Sequence, residues 1–507
     1  MPRNRVPGPA WLSRPTLSSL LTQLAVTLSL ALFLTGAPLV HAGDEPGGAL
    51  AKLLKKRALR GARVGVEVLD LDSGERLVSH AADQELVPAS NQKLLLALAA
   101  LRHWGPAHRF RTAIYSEEPP DENGVIRGPL WVQGAGDPSL VSELLWQLGE
   151  RIRLSGVREI RGGLAIDASY FDDVHTHSDW NPISSRAYHA RVSAFAANYS
   201  SFMIQIDGSE VLGDPARIQL SPSADYFQVR AKIPSLARRS KIRLDLSPLA
   251  DGSGEVLRLR GAVRGGGSSR SYWRSVSLPE RYAASVLRLQ LEAHDVRVAP
   301  GFRLGKLPEG AHLIVEFDGH SVAEIVRLLN KYSNNFIAEQ LLKGLGAEYS
   351  GEPGSWKNGA DALRDALKDL EVLGQGTVIA DGSGLSPRNR ISPRSLVQVI
   401  RTAATDFDSG PEFLASLPHG GLDGTLEDRI KNGAKVRAKT GHLRHVAALS
   451  GVVRSDSGRR IAFSVLVNGG RGARVAVDNA IAAFVSQIAS DSAPAPSEDA
   501  GLARLEP

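Results

Sequence analysis

Not one cysteine occurs among the 507 residues. That absence excludes disulfides, thiolate zinc sites, a cysteine nucleophile and a lipidated N-terminal cysteine. Beyond residue 42 no segment is long and apolar enough to cross a bilayer. Charge of one sign is scarce as well. The formal net charge of +6 falls to +3 without residues 1–42, which hold Arg3, Arg5 and Arg14 and no acid. So mild an excess hints at an anionic polymer and gives no argument for nucleic acid.

What is present describes a globular chain. Hydrophobic residues make up 43% and charged residues 22%, enough for a large core divided over two or three domains. The 50 glycines and 28 prolines suit loop-rich, strand-containing domains better than a helical bundle. At the N-terminus the three arginines precede an apolar run, Leu24 to Ala37, then Pro38 and the small-residue site Val40-His41-Ala42. This is the tripartite form of a cleavable signal peptide covering 1–42, and the expected product works outside the cytoplasm. The alternative, an uncleaved anchor, would need a span of ~20 apolar residues.

Residues 62–80 alternate apolar and polar around an Asp72-Ser73-Gly74 turn and read as a β-hairpin. A second hairpin, 446–454 and 460–468, flanks Ser455 to Arg459. A helix near 473–490 follows, with Val477, Ile481, Phe484 and Ile488 on one face. Hairpins at both ends of the mature chain predict that the termini meet in one antiparallel sheet with the middle inserted, an α+β core. Residues 125–300 read as short strands punctuated by turn residues, with helices only near 139–153 and 279–294. Helical content returns at 318–346 and 356–373, and 491–507 reads as a disordered tail. No internal repeat is visible.

Ser90-Asn91-Gln92-Lys93 opens a leucine-rich helix, which sets an amine one turn from a hydroxyl. A serine hydroxyl needs a base, and a lysine can serve if burial and nearby cations bring its pKa toward neutrality. The helix N-terminus adds backbone N–H groups for developing negative charge. Alone the pattern is weak, since chance gives on the order of one or two per chain of this length. The bland reading is a capping serine with a solvated lysine. Two further signals join it: Ser333-Asn334-Asn335 at a helix start, and Lys439-Thr440-Gly441 just before the last hairpin.

SxxK, SxN and KTG, each once and in that order, resemble the motif set of penicillin-binding proteins and serine β-lactamases. In most of that superfamily SxN lies within roughly a hundred residues of SxxK, whereas here 243 residues separate Ser90 from Ser333. That gap resembles the low-molecular-mass class C D-alanyl-D-alanine carboxypeptidase/endopeptidase family, the penicillin-binding protein 4-like group. Gly134 to Pro138, Asp381 to Ser386, Asn389 to Pro393 and Asp423 to Leu426 look like the same family. The resemblance covers roughly 60–485.

It implies a β-lactamase/transpeptidase-like domain in two segments, 45–106 and 315–490, with a nested β-rich two-domain insertion: 107–190 and 286–314 as one domain around 191–285 as another. It implies hydrolysis of peptidoglycan stem peptides or cross-links in the periplasm, and acylation by β-lactam antibiotics. Ser90 would be the nucleophile and Lys93 its base. Ser333 would relay the proton to the leaving nitrogen, Asn335 would hold the acyl side, and Lys439 would supply positive charge. Thr440 would meet the substrate carboxylate, with Gly441 and His442 beside it, and the N–H groups of Ser90 and His442 would form the oxyanion hole. No cofactor and no metal are implied. Where the family carries Thr or Ser after KTG, this chain has His442, Leu443, Arg444 and His445, which bears on substrate preference. Asp167 resembles an inserted-domain acid that meets the amino group of a diaminopimelate stem peptide, and reads equally as a strand-end turn acid.

Two other stretches invite attention. Asp172-Asp173-Val174-His175-Thr176-His177-Ser178-Asp179 has metal-donor types but reads as a polar loop. Arg264 to Gly267 with Arg270, Tyr272, Trp273 and Arg274 reads as a turn and a surface strand rather than a nucleic-acid platform. A β-lactamase and a catalytically idle wall-binding scaffold stand as rival functions. Sequence leaves peripheral membrane association and a homodimer open.

Overall fold

The computed structural model describes residues 46–430 and 435–490. The expected signal peptide and C-terminal tail lie outside them. The two hairpins do meet. The central sheet is antiparallel with the strand order Val436–Leu443, Val446–Arg454, Arg460–Gly469, Ala62–Asp70, Arg76–His80. Val66 pairs with Val465 and Val68 with Phe463, so the first and last strands of the described chain are neighbours.

Helices cover both faces of this sheet. On one side lie Pro46–Leu54 and Arg474–Ala489, the latter burying Val477, Ile481, Phe484 and Ile488 as its periodicity predicts. On the other lie the leucine helix Lys93–Trp104 and Pro393–Thr405, packed on Leu69, Ala448, Ala462 and Leu466. The inner strands are therefore buried on both faces, and the polar positions of the first hairpin do not all reach water. Glu67 is fully buried and faces Arg394 at 3.3 Å and Arg76 at 3.5 Å.

Between the leucine helix and the return to the central sheet, the chain builds strand-rich layers of its own. One sheet has the order Phe302–Leu304, Leu164–Asp167, Leu130–Gln133, Arg109–Ser116, His312–Ser321. Beyond it stand two three-stranded sheets. One is ordered Phe227–Lys232, Glu255–Arg260, Arg243–Pro248, and the other Ser269–Ser275, Ser201–Asp207, Arg217–Ser221. Helices Ser142–Leu154 and Pro279–Ala293 share their apolar core.

Two helical expectations need correcting. The stretch 318–346 begins inside the strand His312–Ser321 and then divides into helices Val322–Lys331 and Asn335–Ser350. Ser321 starts the first with a capping box to Glu324. Ser333 breaks the run at φ +56°, and Asn334 caps the second by accepting from Ile337. The helix expected over 356–373 is Trp356–Lys368, and Glu371, at φ +53°, lies beyond its end.

Candidate active site

Ser90 stands in the tight turn Ala89–Gln92, which runs straight into the leucine helix. It makes no capping bond at that helix start, and Lys93 is fully buried rather than solvated. The Lys93 ammonium donates to three acceptors: Ser90 Oγ at 3.1 Å, Asn335 Oδ1 at 2.7 Å and the Ser383 carbonyl at 2.7 Å. Burial pulls the Lys93 pKa down from 10.5 to about 7, against the opposing pull of the Glu339 and Asp381 carboxylates. Near neutrality a large fraction of it is a free base pointed at the Ser90 hydroxyl.

A second serine–lysine pair faces the first. Lys439, also fully buried, donates to Ser333 Oγ at 2.8 Å and to the Thr440 carbonyl at 2.8 Å. Burial, then the charges of Lys93 and Arg429, push its pKa well below the usual lysine value. Ser333, with its left-handed backbone, lies in the break between the two helices, and the next helix begins with Asn335. The Asn335 amide is held at both ends, since its Nδ2 donates to the Tyr188 carbonyl at 3.0 Å. The inserted region thus contributes to the site wall.

The strand Val436–Leu443 lies directly against the Ser90 turn. Asn91 Nδ2 donates to the Lys439 carbonyl at 2.9 Å. A Cβ on Gly441 would stand 2.8 Å from the Pro88 carbonyl oxygen and 3.1 Å from the Ser90 nitrogen, so only glycine permits this approach. Thr440 Oγ1 bonds Thr425 Oγ1 at 2.9 Å, which brings in the segment Asp423 to Leu426. The His442 side chain pairs with Asp478 at 2.8 Å, and Asp478 also holds Arg429 at 2.7 Å. The imidazole is thereby anchored to the C-terminal helix. Arg444 and His445 instead line a cleft of about 850 Å³ opposite Arg186, Tyr188, His189 and Arg390.

The structure therefore gathers Ser90, Lys93, Ser333, Asn335, Lys439, Thr440, Gly441 and His442. Asp167 ends the strand Leu164–Asp167. One of its oxygens accepts the Ser169 N–H and the other the Leu307 N–H, both at 2.9 Å. Three donors of the Asp172–Asp179 loop have ionic protein partners: Asp172 meets Lys343, His175 meets Glu280 at 2.9 Å, and Asp179 meets Arg388 at 2.6 Å. Arg270 to Arg274 lie on the strand Ser269–Ser275, as expected.

Sequence reasoning gave no role to three residues that the site uses. Ser383 offers Lys93 its carbonyl. Glu339, fully buried, accepts the N–H groups of Gly382 at 2.9 Å and Ser383 at 2.8 Å and the Trp356 indole at 2.9 Å. Asp381 accepts from Gly384 at 2.8 Å and from the Trp180 indole at 2.9 Å. The visible signals were the family-like run Asp381 to Ser386 and the spacing of Glu339, four residues after Asn335 on one helix face.

A model of the D-Ala-D-Ala carboxypeptidase 3 (S13) family matches residues 47–489. The chain belongs to that family. It is 32% identical over 461 residues to the D-alanyl-D-alanine carboxypeptidase of Actinomadura sp. (strain R39), covering 87% of this chain and 84% of the relative. It is 24% identical over 426 residues to the D-alanyl-D-alanine carboxypeptidase DacB of Haemophilus influenzae, covering 82% and 87%. The crystal structure of penicillin binding protein 4 (dacB) from Haemophilus influenzae superposes with a TM-score of 0.74 at 22% identity, covering 88% of this chain and 99% of that one. The family assignment and the α+β transpeptidase-like fold agree with the motif reading.

Proposed function

We propose that this chain is a serine-type D-Ala-D-Ala carboxypeptidase and DD-endopeptidase of the periplasm, which hydrolyses peptidoglycan peptides through an acyl-enzyme on Ser90. The observation that carries the reading is the buried Lys93, 3.1 Å from Ser90 Oγ and with its pKa near 7. Ser90 Oγ attacks the carbonyl carbon of the D-Ala-D-Ala bond as its proton passes to neutral Lys93. The N–H groups of Ser90 and His442 receive the oxyanion. The C–N bond breaks, and Ser333, backed by Lys439, hands a proton to the departing nitrogen. Asn335 holds the acyl side and Thr440 the terminal carboxylate. Water then attacks the ester and frees Ser90. No step needs a metal or cofactor.

The 32% identical carboxypeptidase supports the substrate class, and the match with a penicillin-binding protein supports acylation by β-lactams. Export rests on the N-terminal pattern of residues 1–42. The catalytic part is assigned to 45–106 and 315–490, around inserted domains at 107–190 with 286–314 and at 191–285.

Intact-mass labelling of the purified exported chain with a penicillin, followed by peptide mapping, tests this. A lasting adduct on Ser90, absent in Ser90→Ala, together with D-alanine release from a pentapeptide, is expected. No adduct on folded protein overturns the proposal in favour of a scaffold. Rapid drug turnover without an adduct overturns it in favour of a β-lactamase.

A further inference from the structure

The sheet Phe227–Lys232, Glu255–Arg260, Arg243–Pro248 ends in a row of like charges. Lys232 is directly opposite Arg260, and Arg260 is directly opposite Arg243, across three adjacent strands. Neighbouring strands are about 4.8 Å apart, and like charges placed opposite one another oppose pairing. All three are exposed, and among the described residues none has an acid within 4.0 Å. The loop into the third strand adds Arg238, Arg239 and Lys241, equally exposed and, among the described residues, without ion pairs.

The same end of the sheet carries apolar side chains in water. The strand Phe227–Lys232 continues through Ser235–Leu236, which pairs with Val263–Arg264. The Gly213 N–H donates to the Ser235 carbonyl at 2.7 Å, so the loop before it is held at this tip. Val211 is 60%, Leu212 58% and Leu236 41% exposed there. Glu210 and Asp214 flank Val211 and Leu212, and Asp245 lies two residues from Arg243, so three acids stand against the six cations named.

We infer that this tip docks on an anionic phospholipid surface. The cations face lipid phosphates, while Val211, Leu212 and Leu236 enter the boundary between headgroups and acyl chains. A soluble polyanion would use the cations alone and leave the aliphatic side chains without a role. Cations beside exposed aliphatic groups match the lipid interface. The inference rests on export to a membrane-facing compartment and is independent of the chemistry at Ser90.

The test is co-sedimentation of the exported chain with vesicles of mixed phosphatidylglycerol and phosphatidylcholine, and with pure phosphatidylcholine as control. Salt-sensitive binding to the anionic vesicles alone is expected. The triple variant Arg238→Ser, Arg239→Ser, Lys241→Ser should lose on the order of tenfold or more in affinity. Val211→Ser with Leu212→Ser should also weaken binding. Penicillin acylation, which reports the fold and the Ser90 chemistry separately, stays unchanged in both. Absence of binding overturns the inference, as does equal binding by both variants. Binding indifferent to Val211 and Leu212, and matched by inorganic polyphosphate, overturns it in favour of a soluble polyanion.

Discussion

Glu339 accepts the backbone N–H of Ser383 at 2.8 Å, and the carbonyl of that same residue takes the hydrogen bond of Lys93. The carboxylate thus positions the base through one intervening residue. It also acts on it through space, since its negative charge raises the Lys93 pKa. Burial and the Asp381 charge push Glu339 itself up to about 7, so the pair titrates jointly.

Glu339→Gln keeps the shape but turns an amide N–H₂ toward groups that are all donors: Gly382, Ser383 and Trp356. Acylation by penicillin should fall by about tenfold to a hundredfold, and stability by ~1–3 kcal/mol. With the anion removed, the acid limb of the acylation profile should move to lower pH. A merely structural loss would lower the rate without moving that limb, so the pH profile of the acylation rate separates the two.

Lys93 fixes the direction of the pH dependence. Its folded pKa of about 7 lies below its ordinary 10.5, so the free base predominates above pH 7 and is lost as the pH falls through it. Acylation should drop about tenfold per unit below that point. For stability the sign is as follows. Between about 7 and 10.5 the unfolded chain binds more protons at this lysine than the folded one does, so stability rises with pH across that window. Thermal unfolding of the wild type against Lys93→Met at pH 7 and pH 9.5 should show the difference moving in favour of the wild type at the higher pH.

Gly441 sets the distance between the KTG strand and the nucleophile turn. A methyl group there would press on the Pro88 carbonyl at 2.8 Å and the Ser90 nitrogen at 3.1 Å. Both are backbone atoms, so the strand itself must shift. Because a displacement of about 1 Å costs on the order of a hundredfold in rate, Gly441→Ala should lose penicillin labelling to that extent. Circular dichroism should remain that of the folded protein. Retained labelling would detach Gly441 from the oxyanion site.

What the sequence disclosed was local. The three motifs, the two hairpins and the face of helix Arg474–Ala489 are written in short spacings, and the family resemblance supplied the order in which they assemble. What it hid was tertiary. The break at Ser333 falls inside an otherwise helical pattern, where its left-handed backbone joins two separately capped helices. Ser383 acts through a carbonyl, which no side-chain motif announces. Glu339 looks like any helix glutamate until its burial against the Gly382 and Ser383 amides is known. Asp478, which fixes His442, lies 36 residues farther along the chain.

That last pair yields a separable prediction, because His442 and Asp478 bear on different properties. The role assigned to His442 belongs to its backbone N–H, so His442→Ala should reduce acylation by less than about tenfold and stability by about 1 kcal/mol or less. Asp478 instead neutralises Arg429, whose side chain is only 11% exposed and whose pKa burial pulls down. Asp478→Ala would strand that guanidinium and should cost about 3–5 kcal/mol in denaturant unfolding. It should also lower the Lys439 pKa further, since a newly unpaired Arg429 adds positive potential near a lysine that already feels it. A large loss of acylation in His442→Ala with intact stability would instead assign the imidazole a direct part in substrate binding.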